Sequence, residues 1–130
     1  MMDYYNFHIE KSTKFLNSAK LLIAEGDDGA SAISRAYYAM YTITEAVLFT
    51  KDINTKSHSG LLSQFNLYFI KSGIFNIEIG EWLHQAFVNR QAGDYNSYVF
   101  IEISEAQIIV DNAEKFIEIL KQYLQQNKFI

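Results

Sequence analysis

The sequence predicts an all-α protein, an antiparallel up-and-down bundle of four to five helices that forms one domain over residues 1–130. Three observations predict this class. The chain contains no proline, so its long helices are not interrupted by a residue that lacks an amide donor. Five segments carry apolar residues at helical spacing. The connectors between these segments are short, which favours antiparallel neighbours in a bundle.

The first two helices are predicted over Asp3–Ala24 and Asp28–Thr50. The connector between them contains glycines and acidic residues, a composition that ends helices. Each helix has one apolar stripe that we expect to face the core. The stripe residues are Phe15, Leu16, Ala19, Leu22 and Ile23 in the first helix, and Ile33, Tyr37, Met40, Tyr41, Thr44 and Leu48 in the second.

The third and fourth helices are predicted over Ser57–Ile70 and Asn76–Ala92. Ser57 is expected to cap the third helix, because a serine hydroxyl accepts a hydrogen bond from an amide of the first turn. Gly73 closes the third helix, and Gly93 is expected to stop the fourth. The inward-facing residues are Leu61, Leu62, Phe65 and Phe69 in the third helix, and Ile79, Leu83, Ala86, Phe87 and Arg90 in the fourth.

A loop is predicted over Tyr95–Ile103, and the last helix follows it. Ser104–Gln107 matches the spacing of a capping box, in which a serine and a glutamine three residues later each bond the other's backbone amide. The stripe of this helix has the clearest amphipathic pattern of the chain. Its residues are Ala106, Ile109, Val110, Ala113, Phe116, Ile117, Leu120 and Leu124.

The composition argues against several classes of protein and site. The formal net charge is −4, so the chain lacks the basic character of proteins that coat nucleic acid. No apolar run approaches the roughly 20 residues of a membrane span, and the amino terminus does not resemble a signal peptide. We therefore expect a cytoplasmic protein that makes no membrane contact. The lack of cysteine, and three histidines that lie in three separate helices, indicate no metal site and no cofactor.

The chain has two arginines, Arg35 and Arg90, and both lie beside tyrosines. Arginine differs from lysine because its planar fork of donors matches the geometry of a carboxylate or a phosphate. The two arginine motifs are therefore the first candidates for contact with a ligand or a partner protein.

Arg90 continues the apolar stripe of its helix, so its guanidinium is expected to be partly buried and to need a partner. Asp94 lies four residues later and is expected to contact it directly. Two interpretations are open. Either the pair is a structural clasp at a helix end, or Arg90 binds a phosphate or a partner while Asp94 and Tyr95 hold it in place.

Arg35 shares a helical stripe with Tyr38. This stripe is either a polar flank with an internal ion pair or a second functional face, with tyrosines able to stack on a base or an opposing subunit. His58 lies at the start of the third helix. There it is either a capping or packing residue or a ligand-binding residue.

Four motifs occur in an order that resembles the small prokaryotic HEPN-domain proteins. They are Ser34–Tyr41, Lys56–Gly60, Arg90–Tyr95 and Ala113–Ile117, and together they span most of the chain. The resemblance implies an antiparallel helical bundle that forms a homodimer. It also implies a partner, a minimal nucleotidyltransferase, in a toxin–antitoxin or nucleotide-handling module.

Some of the HEPN proteins that this chain resembles are metal-independent ribonucleases. These use an arginine and a histidine that follows it after four to six residues. In this sequence the corresponding positions after Arg90 are Tyr95, Asn96 and Ser97. The usual general acid or base is therefore missing from its place.

Three hypotheses follow. The first is a non-enzymatic or weakly active HEPN subunit that dimerises and binds a nucleotidyltransferase, a nucleotide or RNA. The second is a metal-independent ribonuclease toxin in which Arg90 stabilises phosphate and His58 or Tyr95 transfers protons. The third is a purely structural helical dimer. The residues assigned to ligand or partner binding are Arg35, Tyr38, Arg90, Asp94 and Tyr95.

Overall fold

Helices account for most of the described residues in the computed structural model, which describes residues 3–26, 28–95 and 100–130, with the backbone alone at 94 and 95. The described residues form five α-helices, and a π-helical turn directly follows the third. In chain order they are α1 (Tyr4–Glu25), α2 (Gly29–Phe49), α3 (His58–Phe65), the π-helical turn (Asn66–Ile70), α4 (Ile77–Tyr95) and α5 (Ile103–Gln126).

The helices pack as an antiparallel bundle around α2, which contacts α1, α3, α4 and α5. The rings of Tyr4 and Phe49 lie 4.3 Å apart, so the start of α1 meets the end of α2. The buried hydroxyl of Ser12 donates to the carbonyl oxygen of Ala39 at 2.7 Å and joins the middles of the same two helices. The predicted all-α bundle is confirmed.

Most helices begin and end close to the residues that the sequence predicts, at capping side chains or at glycine. Asp28 accepts a hydrogen bond from the amide of Ser31 at 2.9 Å and begins α2. Ser57 accepts from the amide of Gly60 at 3.0 Å, so the predicted cap of α3 is confirmed. Gly26 ends α1 with a φ of +75°, a left-handed conformation that glycine adopts without steric cost.

Two predicted helix ends are wrong. The amide of Ala106 donates to the carbonyl oxygen of Glu102, which makes Glu102 the N-cap and puts Ser104 inside the first turn instead of in a capping box. Gly93 does not stop α4, which continues to Tyr95. A Cβ at Gly93 would lie 3.2 Å from the Cβ of Ala30, so this glycine allows α4 to approach α2 closely.

The third predicted helix changes its winding after Phe65. The amide of Lys71 donates to the carbonyl oxygen of Asn66, five residues earlier, at 2.8 Å. This wider turn is compatible with a cluster of stacked rings, in which Phe75 lies 5.9 Å from Phe65 and 5.8 Å from Phe69. The sequence predicts the helix and its buried residues but not the change in winding.

The start of α2 and the segment before α5 lie very close together. A Cβ added to Gly29 would lie 2.5 Å from the carbonyl oxygen of Ile101. Gly29 and Ile101 are both buried, so glycine is the residue that permits this contact. In the described part of the chain, no helix is long and apolar enough to cross a membrane.

Candidate functional site

Three helices bring arginine, histidine and tyrosine side chains into one cluster. Tyr37 and Tyr38 come from the middle of α2, His58 is the first residue of α3, and Arg90 lies near the end of α4. We call these four residues the Arg90–His58 cluster. The sequence identifies three of them as candidates, and the structure adds Tyr37.

Arg90 is anchored to the two adjacent tyrosines of α2. Its Nη2 donates a hydrogen bond to the hydroxyl oxygen of Tyr38 at 2.9 Å. Its guanidinium carbon lies 5.0 Å from the ring centre of Tyr38 and 5.7 Å from that of Tyr37. At these distances a half-buried cation is attracted to the negative faces of the rings.

His58 is held by α2 and α4. Its Nδ1 lies 2.7 Å from the hydroxyl oxygen of Tyr37. The ring of Tyr41 lies 4.8 Å from the imidazole, and the ring of Phe87 lies nearly parallel to it at 6.3 Å. Because His58 is only half-buried, the imidazole is both fixed in place and partly accessible.

Burial and the charge of Arg90 set the protonation states of the cluster. Burial raises the pKa of Tyr37 far above its ordinary value, although Arg90 opposes the rise. Burial lowers the pKa of His58, and the positive charge of Arg90 lowers it further. Tyr37 and His58 are therefore both neutral near pH 7.

The lowered pKa of His58 predicts that the stability of the protein depends on pH. The folded protein resists protonation of His58 more than the unfolded chain does, so the stability that His58 contributes is complete above its ordinary pKa of about 6.5 and is lost as the pH falls below it.

Arg90→Gln removes a nearby cation and is expected to raise the midpoint of the His58 titration, measured by NMR. Arg35→Gln changes the net charge equally and should leave that midpoint in place. Equal midpoints in the parent and in Arg90→Gln would contradict this prediction.

The other predicted site residues lie apart from the cluster or outside the described atoms. Arg35 is exposed, its guanidinium carbon lies 6.0 Å from the ring centre of Phe15, and it forms no ion pair within the described residues. The side chains of Asp94 and Tyr95 are outside the described atoms. The contact between Arg90 and Asp94 therefore stays a prediction.

The helical spacing predicts that Tyr37, Tyr41 and Phe87 are core residues, and nothing in the sequence assigns them to the site. One signal was present in the sequence. A tyrosine on an apolar stripe buries its ring, and its hydroxyl then needs a polar partner. Within the described residues, no group of three or more histidine, cysteine, aspartate or glutamate side chains is placed to hold a metal ion.

Comparison with known protein families decides the assignment. Residues 5–123, nearly the whole length of the chain, match the HEPN domain. This chain belongs to the HEPN domain family. The resemblance inferred from the four ordered motifs is confirmed.

This HEPN protein has relatives in archaea and bacteria. A Methanocaldococcus jannaschii protein that carries the name "Putative toxin" is 35% identical over 116 residues, which cover 89% of this chain and 78% of that protein. A second Methanocaldococcus jannaschii protein that is also named "Putative toxin" is 33% identical over 118 residues, which cover 91% of this chain and 87% of that protein. A "UPF0332 protein" of Thermotoga maritima is 35% identical over 119 residues, or 86% of this chain and 89% of its own.

Proposed function

We propose that this HEPN protein binds the phosphate of a nucleotide, or of a short single-stranded RNA, at the Arg90–His58 cluster. It acts as a homodimeric, non-enzymatic or weakly active subunit of a prokaryotic toxin–antitoxin or nucleotide-handling module. The observation that carries the proposal is that His58 and Arg90, which are 32 positions apart in the sequence, are held by two adjacent tyrosines.

The cluster offers a phosphate several hydrogen-bond donors at once. The guanidinium of Arg90 donates one N–H to Tyr38, and a hydrogen bond from its planar fork to a phosphate would be charge-assisted. Tyr38 accepts a hydrogen bond from Arg90 through its hydroxyl oxygen, so the hydroxyl proton is available for a bond of its own. A phosphate beside these groups would be met by positive charge and by hydroxyl donors.

Aromatic rings beside the donors suit the base of the same ligand. Tyr38, Tyr41 and Phe87 are half-buried, so each ring is fixed in place and still reaches solvent. Stacking on such rings contributes about 1–3 kcal/mol per base and tolerates any base. The net charge of −4 and a cluster with a single arginine favour a nucleotide or a short single strand over a long nucleic acid.

Two further parts of the proposal rest on the family. Two relatives carry a name that contains the word toxin, and this favours a place in a toxin–antitoxin module. The family resemblance also implies a homodimer and a minimal nucleotidyltransferase partner. Co-purification of such a partner, encoded beside this chain, would support the assignment.

The test uses the two arginines as a matched pair. Calorimetric titration with a nucleoside triphosphate, and with a short single-stranded RNA, is expected to show binding by the parent. Arg90→Lys should weaken binding about 10- to 100-fold, because lysine keeps the charge and loses the planar fork. Arg35→Lys is the control and should bind like the parent.

Equal losses in the two variants, or no binding by the parent, would contradict the assignment of the ligand to this cluster. Light scattering of the same samples tests the dimer. A strict monomer at micromolar concentration would remove the homodimer from the proposal.

A metal-independent ribonuclease is the second candidate function. The observation that favours it is the presence of a histidine and an arginine in one cluster, since a general acid or base and a phosphate-stabilising cation are the two groups that RNA cleavage needs. The histidine here comes from α3 instead of following Arg90 in the sequence. The first candidate requires binding alone, and the contacts that hold His58 and Arg90 in one cluster favour it.

A further inference from the structure

The hydroxyl of Tyr37 is the polar end of a side chain that lies wholly inside the protein. The residue is 0% exposed, and its ring lies among those of Tyr38, Tyr41 and Phe87. The hydroxyl oxygen lies 2.7 Å from Nδ1 of His58. A buried hydroxyl carries a proton that needs an acceptor, because an unsatisfied buried donor is costly.

This requirement fixes the direction of the hydrogen bond. If Nδ1 carried the imidazole proton, it would donate to Tyr37, and the hydroxyl proton would be left without an acceptor among the described groups. If Nδ1 is bare, Tyr37 donates to it, and the buried proton is satisfied. The second arrangement puts the proton of the neutral imidazole on Nε2.

We propose that Tyr37 is a positioning residue that holds His58 with its proton on Nε2, so that His58 offers a ligand a neutral N–H donor and not a general base. The inference deepens the proposed function and rests on it for the identity of the ligand. A phosphate oxygen accepts hydrogen bonds, so the Nε2–H of His58 and the guanidinium of Arg90 would both donate to the same anion.

The charged and titratable groups around His58 agree with this state. Tyr37, Tyr38 and Tyr41 face it from α2, and Arg90 approaches from α4. Burial disfavours a second proton on the imidazole, and the positive charge of Arg90 disfavours it further. Burial also keeps Tyr37 in its protonated form, which is the form that donates.

The first test needs no ligand. In NMR spectra of the parent near pH 7, the nitrogen resonances of His58 should show Nδ1 without a proton and Nε2 with one. In Tyr37→Phe the pKa of His58 should rise, because the bond from Tyr37 stabilises the neutral imidazole. Tyr41→Phe is the control, since Tyr41 contacts His58 through its ring, and the pKa should stay as in the parent.

A proton on Nδ1 of the parent would overturn the inference. An unchanged pKa of His58 in Tyr37→Phe would overturn it as well. The measurement on the parent depends on no variant, so it decides the matter even if Tyr37→Phe folds poorly.

The second test asks whether Tyr37 acts through His58. Tyr37→Phe should weaken binding of the nucleoside triphosphate about 2- to 10-fold, the range for loss of one hydrogen bond. In a His58→Ala background the same change should cost nothing further, because the residue that Tyr37 orients is gone. A full additional loss in the double variant would show that Tyr37 acts on the ligand by another route and would overturn the inference.

The two tests separate the two proposals. If the parent binds no nucleotide and no RNA while the NMR result is as expected, the proposed function fails and the orientation of His58 stands. If binding occurs and Nδ1 carries the proton, the proposed function stands and the orientation fails.

Discussion

Replacing Tyr95 with histidine is expected to raise metal-independent cleavage of RNA by about 10² to 10⁴ over the parent, the usual contribution of a positioned general acid or base. Tyr95 is the last residue of α4, and four residues separate it from Arg90. By family resemblance, this is a position at which ribonuclease members carry histidine. An ordinary tyrosine, with a pKa near 10, transfers protons poorly at neutral pH.

The comparison is made with a chelator present, on single-stranded RNA, for the parent and for Tyr95→His. Adding Arg90→Ala to Tyr95→His should abolish the gain, because the cation that stabilises the developing charge is then missing. Tyr95→Phe is the control for loss of the tyrosine hydroxyl. No gain in Tyr95→His would show that the missing histidine is not what limits cleavage.

One result would reverse the order of the two candidate functions. Robust cleavage by the parent that disappears in both His58→Ala and Arg90→Ala would make the ribonuclease the native function. His58 would then have to act as a base through a bare Nε2, which is the opposite of the orientation inferred from Tyr37.

Substituting alanine for Gly29 is expected to lower the free energy of unfolding by about 1–3 kcal/mol, the usual cost of overpacking. The new Cβ would meet the carbonyl oxygen of Ile101 at 2.5 Å, and a backbone atom cannot rotate away as a side chain can. Ile101 is itself buried, so moving its backbone would also disturb the packing of its side chain. Chemical denaturation measures the change.

Gly80→Ala is the matched control for this prediction. Its nearest neighbour would be Cγ1 of Ile70 at 3.1 Å, a side-chain atom that can move. Alanine inside a helix also gains about 0.5–1 kcal/mol over glycine, which offsets the tighter packing. Equal losses of stability at the two positions would contradict the special role of the contact between Gly29 and Ile101.

The helices were predictable because their signal is local. All eight predicted core positions of α5 are buried, since a regular apolar stripe defines the face of a helix without reference to the rest of the chain. Helix ends were less predictable where a distant contact decides them. Gly93 resembles a stop signal in sequence, but it lies inside α4 where a Cβ would crowd Ile101 and Ala30.

The cluster was only partly predictable because its contacts join distant segments. The register of Arg90 indicated a half-buried cation, and Arg90 is half-buried in the structure. Its partner Tyr38 lies 52 residues away, and the partner of His58, Tyr37, lies 21 residues away. The sequence placed Tyr38 on the stripe of Arg35, and no spacing rule linked it to Arg90 instead.

The Arg90–His58 cluster takes its side chains from three helices, so it exists only while α2, α3 and α4 are packed together. A ligand of the cluster therefore binds the native state and not the unfolded chain, and it raises the melting temperature by mass action. At a free concentration 100 times its Kd, the stabilisation is about 2.7 kcal/mol. Nucleotides can thus be surveyed by thermal shift, with the parent and Arg90→Lys in parallel. A compound that protects the parent strongly and the variant weakly would identify the ligand.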